Sequence, residues 1–332
     1  MVAYSVIIPV YNRPDEIKEL LESLSHQTFL DFEVIVVEDG SDDRCETQVK
    51  AFQQKLAVTY YFKENSGPGA SRNFGMEQAN GKFFIFLDSD CIVPADYLKH
   101  IDQHIQNHQL DAFGGPDSAH PSFTKVQKAI NYAMTSFLTT GGIRGGKRNL
   151  DKFQPRSFNM GISREVFENV GGFRSLHPGE DPDLSYRIIK SGYKTGLVKE
   201  AFVYHKRRID FSKFIKQVYK FGLARTILMK WHPGSFKIVY ALPSFVLIGL
   251  VCLLGFSIVR SWLLLPILLG ALVLFFDALI KTKNLQVAFM GLMASLIQIV
   301  GYGFGFLTGI WHLWIRRQDE QAAFPNLFFT DN

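Results

Sequence analysis

Short apolar runs alternate with segments of helical pattern along the first hundred residues. The runs are rich in Val, Ile and aromatic residues, and they are Tyr4–Pro9, Phe32–Glu38, Val58–Phe62 and Phe83–Leu87. Alternating strands and helices predict βαβ units around a parallel sheet, and strands that are apolar on both sides predict helices on both faces. From Leu110 to about Ser163 the pattern weakens, and Gly-rich turns at Gly114–Pro116 and Gly141–Gly146 indicate a loop-rich half that shapes a cleft.

The C-terminal third carries much longer apolar stretches. Ile238–Ile258 and Trp262–Ile280 are each long enough to cross about 30 Å of hydrocarbon, and Arg260–Ser261 predicts a tight link between them. Leu285–Ile315 is a third stretch, and its glycines allow either close helix packing or a break. A tilted single span and a re-entrant segment are both open for it. We therefore expect two or three membrane spans.

Phe211–Trp231 mixes apolar and basic residues. Apolar side chains such as Phe214 and Val218 recur at helical spacing, and lysines such as Lys213 and Lys220 fall between them. One interpretation is a basic amphipathic helix that lies on an anionic membrane surface. The other is a packed helix whose charged face is solvated.

Charge follows the same division. The chain has 36 Lys and Arg and 31 Asp and Glu residues, but between Ile238 and Ile315 the charged residues are Arg260, Asp277, Lys281 and Lys283 alone. The first part therefore has the composition of a soluble domain and the second that of a membrane region. No basic region precedes an apolar run at the start, so we expect the N-terminal part to stay cytoplasmic. The three cysteines have no paired spacing, which argues against a disulfide framework and a zinc site.

Two carboxylates end the fourth apolar run. Asp88 and Asp90, separated by Ser89, come directly after Phe84–Leu87. Carboxylates at the end of a buried strand can hold a divalent cation against phosphate oxygens. The same residue types also favour a simple acidic turn, and this sequence alone does not decide between the two.

Two further loops offer binding groups. Asp39 ends the second run, and its carboxylate can accept hydrogen bonds from a base or a ribose, although an Asp-Gly turn also forms for local reasons. Asn65–Asn73 follows a strand and opens a helix, so small residues allow close approach while Arg72 offers a cation to phosphate. A single Gly-rich loop is weak evidence by itself.

Two candidates lie further along the chain. Asp181, between Glu180 and Pro182, can cap a helix, or it can remove a proton from an attacking hydroxyl. His205 ends a short apolar run and is either a satisfied histidine or a metal ligand. Spacing alone leaves both alternatives open.

Together these motifs resemble the family 2 inverting glycosyltransferases, whose nucleotide-sugar-binding α/β fold is called GT-A. The resemblance runs from Val6–Asn12 to Glu180-Asp181, about the first 210 residues. It implies an α/β domain with a mixed sheet, followed in this chain by C-terminal transmembrane helices. It also implies that Pro9, Tyr11 and Asp39 cradle the nucleotide base. Arg72 and Asp88 would line the nucleotide and the sugar.

The resemblance gives the remaining candidates their roles. Asp90 would bind Mn²⁺ or Mg²⁺ at the diphosphate, and His205 falls where some relatives place another metal ligand. Asp181 would be the catalytic base, with Glu180 beside it. Asn159, in Phe158–Gly161, would lie on the acceptor side.

The expected reaction moves one sugar from a nucleotide sugar to a hydroxyl, with inversion and with a metal. Processive relatives carry Gln-x-x-Arg-Trp after the base, whereas Gln217–Phe221 departs at both final positions, which argues against polymer synthesis. The expected acceptor is a lipid-linked glycan or a cell-surface polysaccharide precursor. Membrane lipids are the other expected partners, and nucleic acid is not expected.

Two alternatives stay open. A polyprenyl-phosphate sugar synthase would attack with a lipid phosphate, but Cys91–Pro94 replaces the Leu-Gln-x-Pro usual in that branch. A catalytically silent nucleotide-sugar-binding membrane subunit would lack acidic residues, whereas Asp39, Asp88, Asp90 and Asp181 are all present.

The expected organisation has four parts. Residues 1–210 form the catalytic domain, 211–237 the interfacial helix, 238–315 the membrane region and 316–332 a tail. We expect a multi-pass protein of the cell inner membrane or its equivalent, with the catalytic domain facing the cytoplasm.

Overall fold

A computed structural model describes residues 2–118, 123–141, 153–205 and 210–329 of the chain. The strands are β1 (Tyr4–Val10), β2 (Phe32–Asp39), β3 (Val58–Lys63), β4 (Phe83–Leu87), β5 (Cys91–Ile92), β6 (Ala112–Gly114), β7 (Asp117–Ser118), β8 (Asn159–Ser163), β9 (Thr195–Leu197) and β10 (Val203–His205). The helices are α1 (Pro14–Ser25), α2 (Glu46–Lys50), α3 (Gly67–Gln78), α4 (Tyr97–His108), α5 (Lys125–Thr135), α6 (Phe137–Thr140), α7 (Arg164–Val170), α8 (Glu180–Lys190), α9 (Phe211–Trp231), α10 (Ile238–Ser257), α11 (Leu264–Thr282), α12 (Leu285–Ile310) and α13 (Glu320–Ala323).

Seven of these strands form a mixed sheet in the order β3-β2-β1-β4-β8-β6-β9. The first four pair in parallel, so that Val6 lies between Val34 and Ile85. β8 runs antiparallel to β4 and β6, and β9 is parallel to β6. A smaller sheet has the order β5-β10-β7. The βαβ prediction and the mixed α/β sheet are therefore confirmed.

Helices cover both faces of the parallel strands because side chains on both faces are apolar. Val6 and Ile8 of β1 pack in one core with Leu20 of α1, whereas Ile7 packs in a second core with Met76 of α3. Strand residues point alternately to the two faces, so neighbouring residues enter different cores. This double burial explains why the strands read as continuous apolar runs.

The segment from Leu110 to Ser163 is more regular than the sequence predicted. β8 lies inside the main sheet, where Met160 and Ile162 are fully buried, and α5 forms one long helix. The prediction of a loop-rich half is wrong for these elements, and β8 was missed because Asn159, Gly161 and Ser163 interrupt the apolar run that marks the other strands. Residues 142–152, which include most of the predicted Gly141–Gly146 turn, lie outside the described residues.

The described chain forms two compact units. The first unit contains residues 2–118, 153–205 and 328–329, and the second contains residues 123–141 and 210–327. This division differs from the predicted 1–210 domain. The helix α5 belongs to the second unit because Ile130 and Met134 pack in one core with Phe214 and Ala294.

Three helical segments of the described chain are long and apolar enough to cross a membrane. They are Ile238–Ser257, Ser261–Thr282 and Leu285–Ile315. The third is a continuous helix, since α12 passes directly into a π-helical turn at Trp311–Ile315. The break that the sequence left open is absent from this described segment, and its glycines serve close packing.

The apolar face of α9 packs on α12. A Cβ atom placed on Gly305 would lie 2.2 Å from the Tyr219 carbonyl oxygen, and one on Gly301 would lie 2.6 Å from a Val218 methyl group. Only glycine allows the two backbones to approach so closely. Protein therefore covers this face of α9, while Lys216 and Lys220 on the other side stay exposed, and the predicted position of the helix at a membrane surface stays a prediction.

We predict that Gly305→Ala lowers the free energy of unfolding by about 1–3 kcal/mol, because the methyl group would overlap the α9 backbone. Denaturation of the detergent-solubilised protein measures this. Gly270→Ala is the matched control, since a Cβ on this α11 glycine meets nothing within 4 Å. Equal stability of the two variants would contradict the close α9–α12 contact.

Candidate active site

The predicted binding residues lie at one edge of the parallel strands. β1 and β2 pair in register, with Val10 opposite Glu38, so Tyr11 just after β1 lies beside Asp39, the last residue of β2. Tyr11 is 50% exposed at this edge. The Asn12 side-chain oxygen accepts hydrogen bonds from the backbone N–H groups of Asp42 and Asp43, at 2.9 and 3.1 Å. The loops after β1 and β2 are thereby held together, with Pro9 just before the first.

Asp39 anchors the Gly-rich loop. Its carboxylate accepts hydrogen bonds from the backbone N–H groups of Ser66 and Gly67, at 3.0 and 2.9 Å, and pairs with Lys63 at 2.5 Å. The side chain is buried, so its oxygens are largely engaged within the protein. Asp39 therefore fixes the start of α3, and its predicted contact with the nucleotide base stays a prediction.

Arg72 connects two motifs that are far apart in the sequence. Its Nη2 donates to Asp88 Oδ1 at 2.7 Å, and its Nη1 donates to Glu180 Oε1 at 3.3 Å. The guanidinium is 3% exposed and lies over the Phe173 ring. A buried cation must be paired, so the three groups are held as one unit.

Beyond Asp88, further side chains of alternating positive and negative charge follow the Glu180–Arg72–Asp88 group. His205 Nε2 lies 3.8 Å from Asp88 Oδ2 and 3.1 Å from Asp90 Oδ1. Asp90 Oδ2 in turn accepts a hydrogen bond from Arg13 at 2.5 Å. We call Glu180, Arg72, Asp88, His205 and Asp90 the charge row. The structure thus brings together four of the predicted motifs.

Asp90 and His205 have a donor set that fits a divalent cation. His205 Nδ1 is buried without a hydrogen-bond partner among the described residues, and Asp90 Oδ1 is buried 3.1 Å from His205 Nε2. Carboxylate oxygens suit both Mn²⁺ and Mg²⁺, the imidazole favours the transition metal Mn²⁺ of the two, and Asp88 lies close by. Cys91 completes a group whose ligand atoms lie within 4.8 Å, but its thiol donates to the Phe158 carbonyl and is too soft for these metals.

The electrostatics keep Asp90 anionic. Burial alone would raise the pKa of Asp90, but the charges of His205 and Arg13 outweigh it and hold that pKa well below its usual range. Burial alone would lower the pKa of His205, but Asp90 and then Asp88 raise it. The carboxylate is therefore ionised and able to hold a cation at neutral pH.

Glu180 and Asp181 share the first turn of α8 but have different surroundings. Glu180 is buried, and His177 Nδ1 lies 3.0 Å from its Oε1. Burial would raise the pKa of Glu180, but His177 and Arg72 lower it to about 2, which makes it a weak base. Asp181 is 19% exposed, and its Oδ2 lies 3.7 Å from Arg156 Nη1. Of the two, Asp181 is the more accessible to an acceptor.

Asn159 is fully buried in β8. Its Oδ1 accepts a hydrogen bond from the Tyr97 hydroxyl at 2.7 Å, and its Nδ2 donates to the Ala201 carbonyl at 2.8 Å. These contacts connect β8 to α4 and to the segment before β10. The side chain supports the fold, and its contact with an acceptor stays a prediction.

Sequence reasoning missed four charged residues at the site. They are the partners of the predicted carboxylates, namely Arg13, Lys63, Arg156 and His177. Arg13 lies in the polar loop after β1 and Lys63 is the last residue of β3, positions that could have drawn attention to them. Arg156 and His177 stand in loops without a pattern, so their sequence carries no such signal.

Comparison with known proteins identifies the family. The model of Glycosyl transferase family 2 matches residues 5–171, half of the chain. The sequence is 28% identical over 262 residues to the glycosyltransferase AglE of Haloferax volcanii, a match that covers 74% of this chain and 80% of AglE. It is 27% identical over 215 residues to the minor teichoic acid biosynthesis protein GgaB of Bacillus subtilis, covering 63% of this chain but 23% of GgaB.

A solved structure supports the fold. The mannosyltransferase PcManGT from Pyrobaculum calidifontis, in complex with GDP-Man and Mn²⁺, aligns with a TM-score of 0.65 at 18% identity, over 90% of this chain and 87% of that one. The expected GT-A-like α/β architecture is confirmed. The chain belongs to glycosyl transferase family 2, and it is a glycosyltransferase whose fold continues into candidate membrane helices.

Proposed function

We propose that the enzyme transfers one sugar, with inversion, from a nucleoside diphosphate sugar to a hydroxyl of a lipid-linked glycan or a cell-surface polysaccharide precursor. The charge row carries this proposal, because Arg72 joins the Asp88–Asp90 motif to the Glu180-Asp181 motif. The name of the relative GgaB, a teichoic acid biosynthesis protein, supports a cell-envelope acceptor. The match covers 23% of GgaB, so the substrates of that whole protein are not assigned to this chain.

The donor would bind across the strand ends. Pro9, Tyr11 and the loop fixed by Asp39 would accept the base, and Arg72 with Asp88 would face the diphosphate and the sugar. Arg72 is suited to this role because its guanidinium is held in a fixed orientation by two carboxylates. Fixed donors cost little reorganisation when charge develops on the departing diphosphate.

Asp90 and His205 would hold Mn²⁺ or Mg²⁺, the former being the metal found in PcManGT. When bound, the metal would supply positive charge that stabilises the leaving nucleoside diphosphate. The ionised carboxylate of Asp90, which Arg13 also stabilises, and the unpartnered Nδ1 atom of His205 support this assignment, in which the imidazole would bind in its neutral form.

Asp181 would accept the proton of the attacking hydroxyl. A single displacement of this kind inverts the anomeric configuration. Glu180 would position Arg72 and the first turn of α8, because its carboxylate already binds Arg72, His177 and the Gly179 N–H group.

We predict that Asp181→Asn lowers sugar transfer at least about a hundredfold, because the amide cannot take up the proton. Metal-dependent donor binding should stay as in the wild type. Transfer of labelled sugar and donor binding by calorimetry measure the two effects. Asp31→Asn, at an exposed site, is the matched control, and retained turnover in Asp181→Asn would refute the role of base.

We predict that Asp90→Ala weakens donor binding when Mn²⁺ is present and leaves it unchanged in EDTA, because only the metal-dependent part is lost. Calorimetric titration under both conditions measures this, with Asp31→Ala as the control. An unchanged metal dependence in Asp90→Ala would remove Asp90 as a ligand.

A lipid phosphate is the second candidate acceptor. The Arg156 guanidinium beside Asp181 gives the acceptor side a cation that could bind a phosphate. A phosphate is already a nucleophile and needs no strong base. Turnover that survives in Asp181→Asn but not in Arg156→Gln would favour this candidate over a hydroxyl acceptor.

We further propose that the protein is anchored in the membrane with the first unit in the cytoplasm, since its three apolar helices suggest membrane association. We predict that Gln103→Cys, at an exposed position of α4, reacts with a membrane-impermeant maleimide in inverted vesicles only. The background is Cys252→Ser, because Cys45 and Cys91 are buried. Labelling in sealed right-side-out vesicles would contradict this orientation.

A further inference from the structure

The chain has three helices that could cross a bilayer, but we infer that only α10 and α11 do so. α12 lies along the membrane surface on the side of the first unit, with its exposed apolar side in the boundary between headgroups and acyl chains. The lysines of α9 then face anionic lipid headgroups. This arrangement rests on the membrane anchoring proposed above and is independent of the catalytic roles proposed there.

The ends of the second unit require an even number of crossings. The chain leaves the first unit after His205 and re-enters it at Phe328. There Phe328 forms an antiparallel bridge with Leu176, and the Phe329 N–H group donates to the Ser175 carbonyl at 3.1 Å. One folded unit stays on one side of a bilayer, because its polar surface does not enter hydrocarbon. Three full crossings would separate Phe329 from Ser175.

α12 contacts the other two helices near one end of each. The Ser244 hydroxyl, in the second turn of α10, donates to the Gly303 carbonyl at 3.1 Å. Ala278, near the end of α11, would be 3.3 Å from a Cβ atom on Gly291. In a membrane hairpin, α10 and α11 run in opposite directions, so the start of α10 and the end of α11 lie on the same side of the bilayer. Gly291 and Gly303 are about 18 Å apart along α12, so α12 bridges the two ends.

The burial of the hairpin agrees with this crosswise packing. The buried residues of α10 are Tyr240, Ala241 and Ser244, all in its first two turns, and α11 buries Ala278. Apart from Asp277 and Lys281 near the end of α11, the rest of both helices is mostly apolar and accessible, as expected for a hairpin surrounded by lipid. A third span would instead cover α10 and α11 along their length.

The neighbours of α12 are incompatible with the hydrocarbon core. α9 lies in backbone contact with its second half, at Gly301 and Gly305, and exposes Lys216 and Lys220 along the same stretch. The first half is joined to α5 by a hydrogen bond between Lys125 and Gln286. Charged side chains are strongly disfavoured at the centre of a bilayer, whereas an anionic headgroup layer attracts lysine.

α12 has the pattern of an interfacial helix. Its exposed apolar residues fall on one face along its whole length, continuing into the π-helical turn, and they include Phe289, Met293, Val300, Phe304, Trp311 and Trp314. Such a face enters the outer part of a leaflet, and tryptophan favours that depth. Two crossings also keep the cations at both ends of α12, Lys283 and Arg316, on the cytoplasmic side.

Cysteine labelling tests the number of crossings. In the Cys252→Ser background, Asn326→Cys reports the tail, Ser261→Cys the hairpin link and Gln103→Cys the first unit, all at exposed positions. We expect the impermeant maleimide to label Asn326→Cys and Gln103→Cys in the same vesicle orientation, and Ser261→Cys in the opposite one. Labelling of Asn326→Cys together with Ser261→Cys would establish three crossings and overturn the inference. Gln321→Cys is a second tail position if Asn326→Cys does not fold.

Depth measurement tests the orientation of α12. A fluorophore on Met293→Cys or Val300→Cys, both exposed and about two turns apart, is quenched by lipids that carry nitroxides at known depths. We expect the same shallow depth for both positions, and a deeper one for the control Ile248→Cys in the middle of α10. A depth for Val300→Cys near that of Ile248→Cys, or a steady change in depth along α12, would overturn the surface orientation.

Discussion

The buried guanidinium of Arg72 is the interaction on which the candidate site depends. An arginine that is 3% exposed is stable only between anions, and its two partners, Asp88 and Glu180, lie 16 and 108 residues after it in the sequence. Pairing them fixes the distance between the strand-end motif and the first turn of α8. His205 and Asp90 continue the row on one side. On the other side, Asp181 follows Glu180 and takes its position from it.

The fold could be predicted from the sequence where the local apolar pattern of a segment matches its burial in the folded protein. All four predicted strands end within one residue of the observed ones, because strands buried on both faces must be apolar throughout. Asp39, Asp88 and Asp90 were found for the same reason, since polar groups after such strands stand out. β8 was missed because Asn159, Gly161 and Ser163 alternate with its two apolar residues, and α5 was missed because it packs on distant residues such as Phe214.

The site was less predictable than the fold because each candidate side chain is tuned by charged residues that are distant from it in the sequence. No local signal marks Arg156 or His177, and only folding brings them beside Asp181 and Glu180. Hydropathy likewise shows that Leu285–Ile315 is apolar without showing what lies next to it. The lysines of α9 and the return of Phe329 to Ser175 supply that information. A helix that is long enough to span a bilayer can therefore lie on the membrane surface instead.

The most direct measurement is release of nucleoside diphosphate by the purified, detergent-solubilised protein. Nucleotide sugars are screened one by one with Mn²⁺ or Mg²⁺ and with EDTA, and a membrane lipid extract serves as acceptor. We expect release from one donor class with metal and none with EDTA. If EDTA does not change the release, the metal site at Asp90 and His205 is contradicted. If no donor gives any release, the proposed sugar transfer is contradicted.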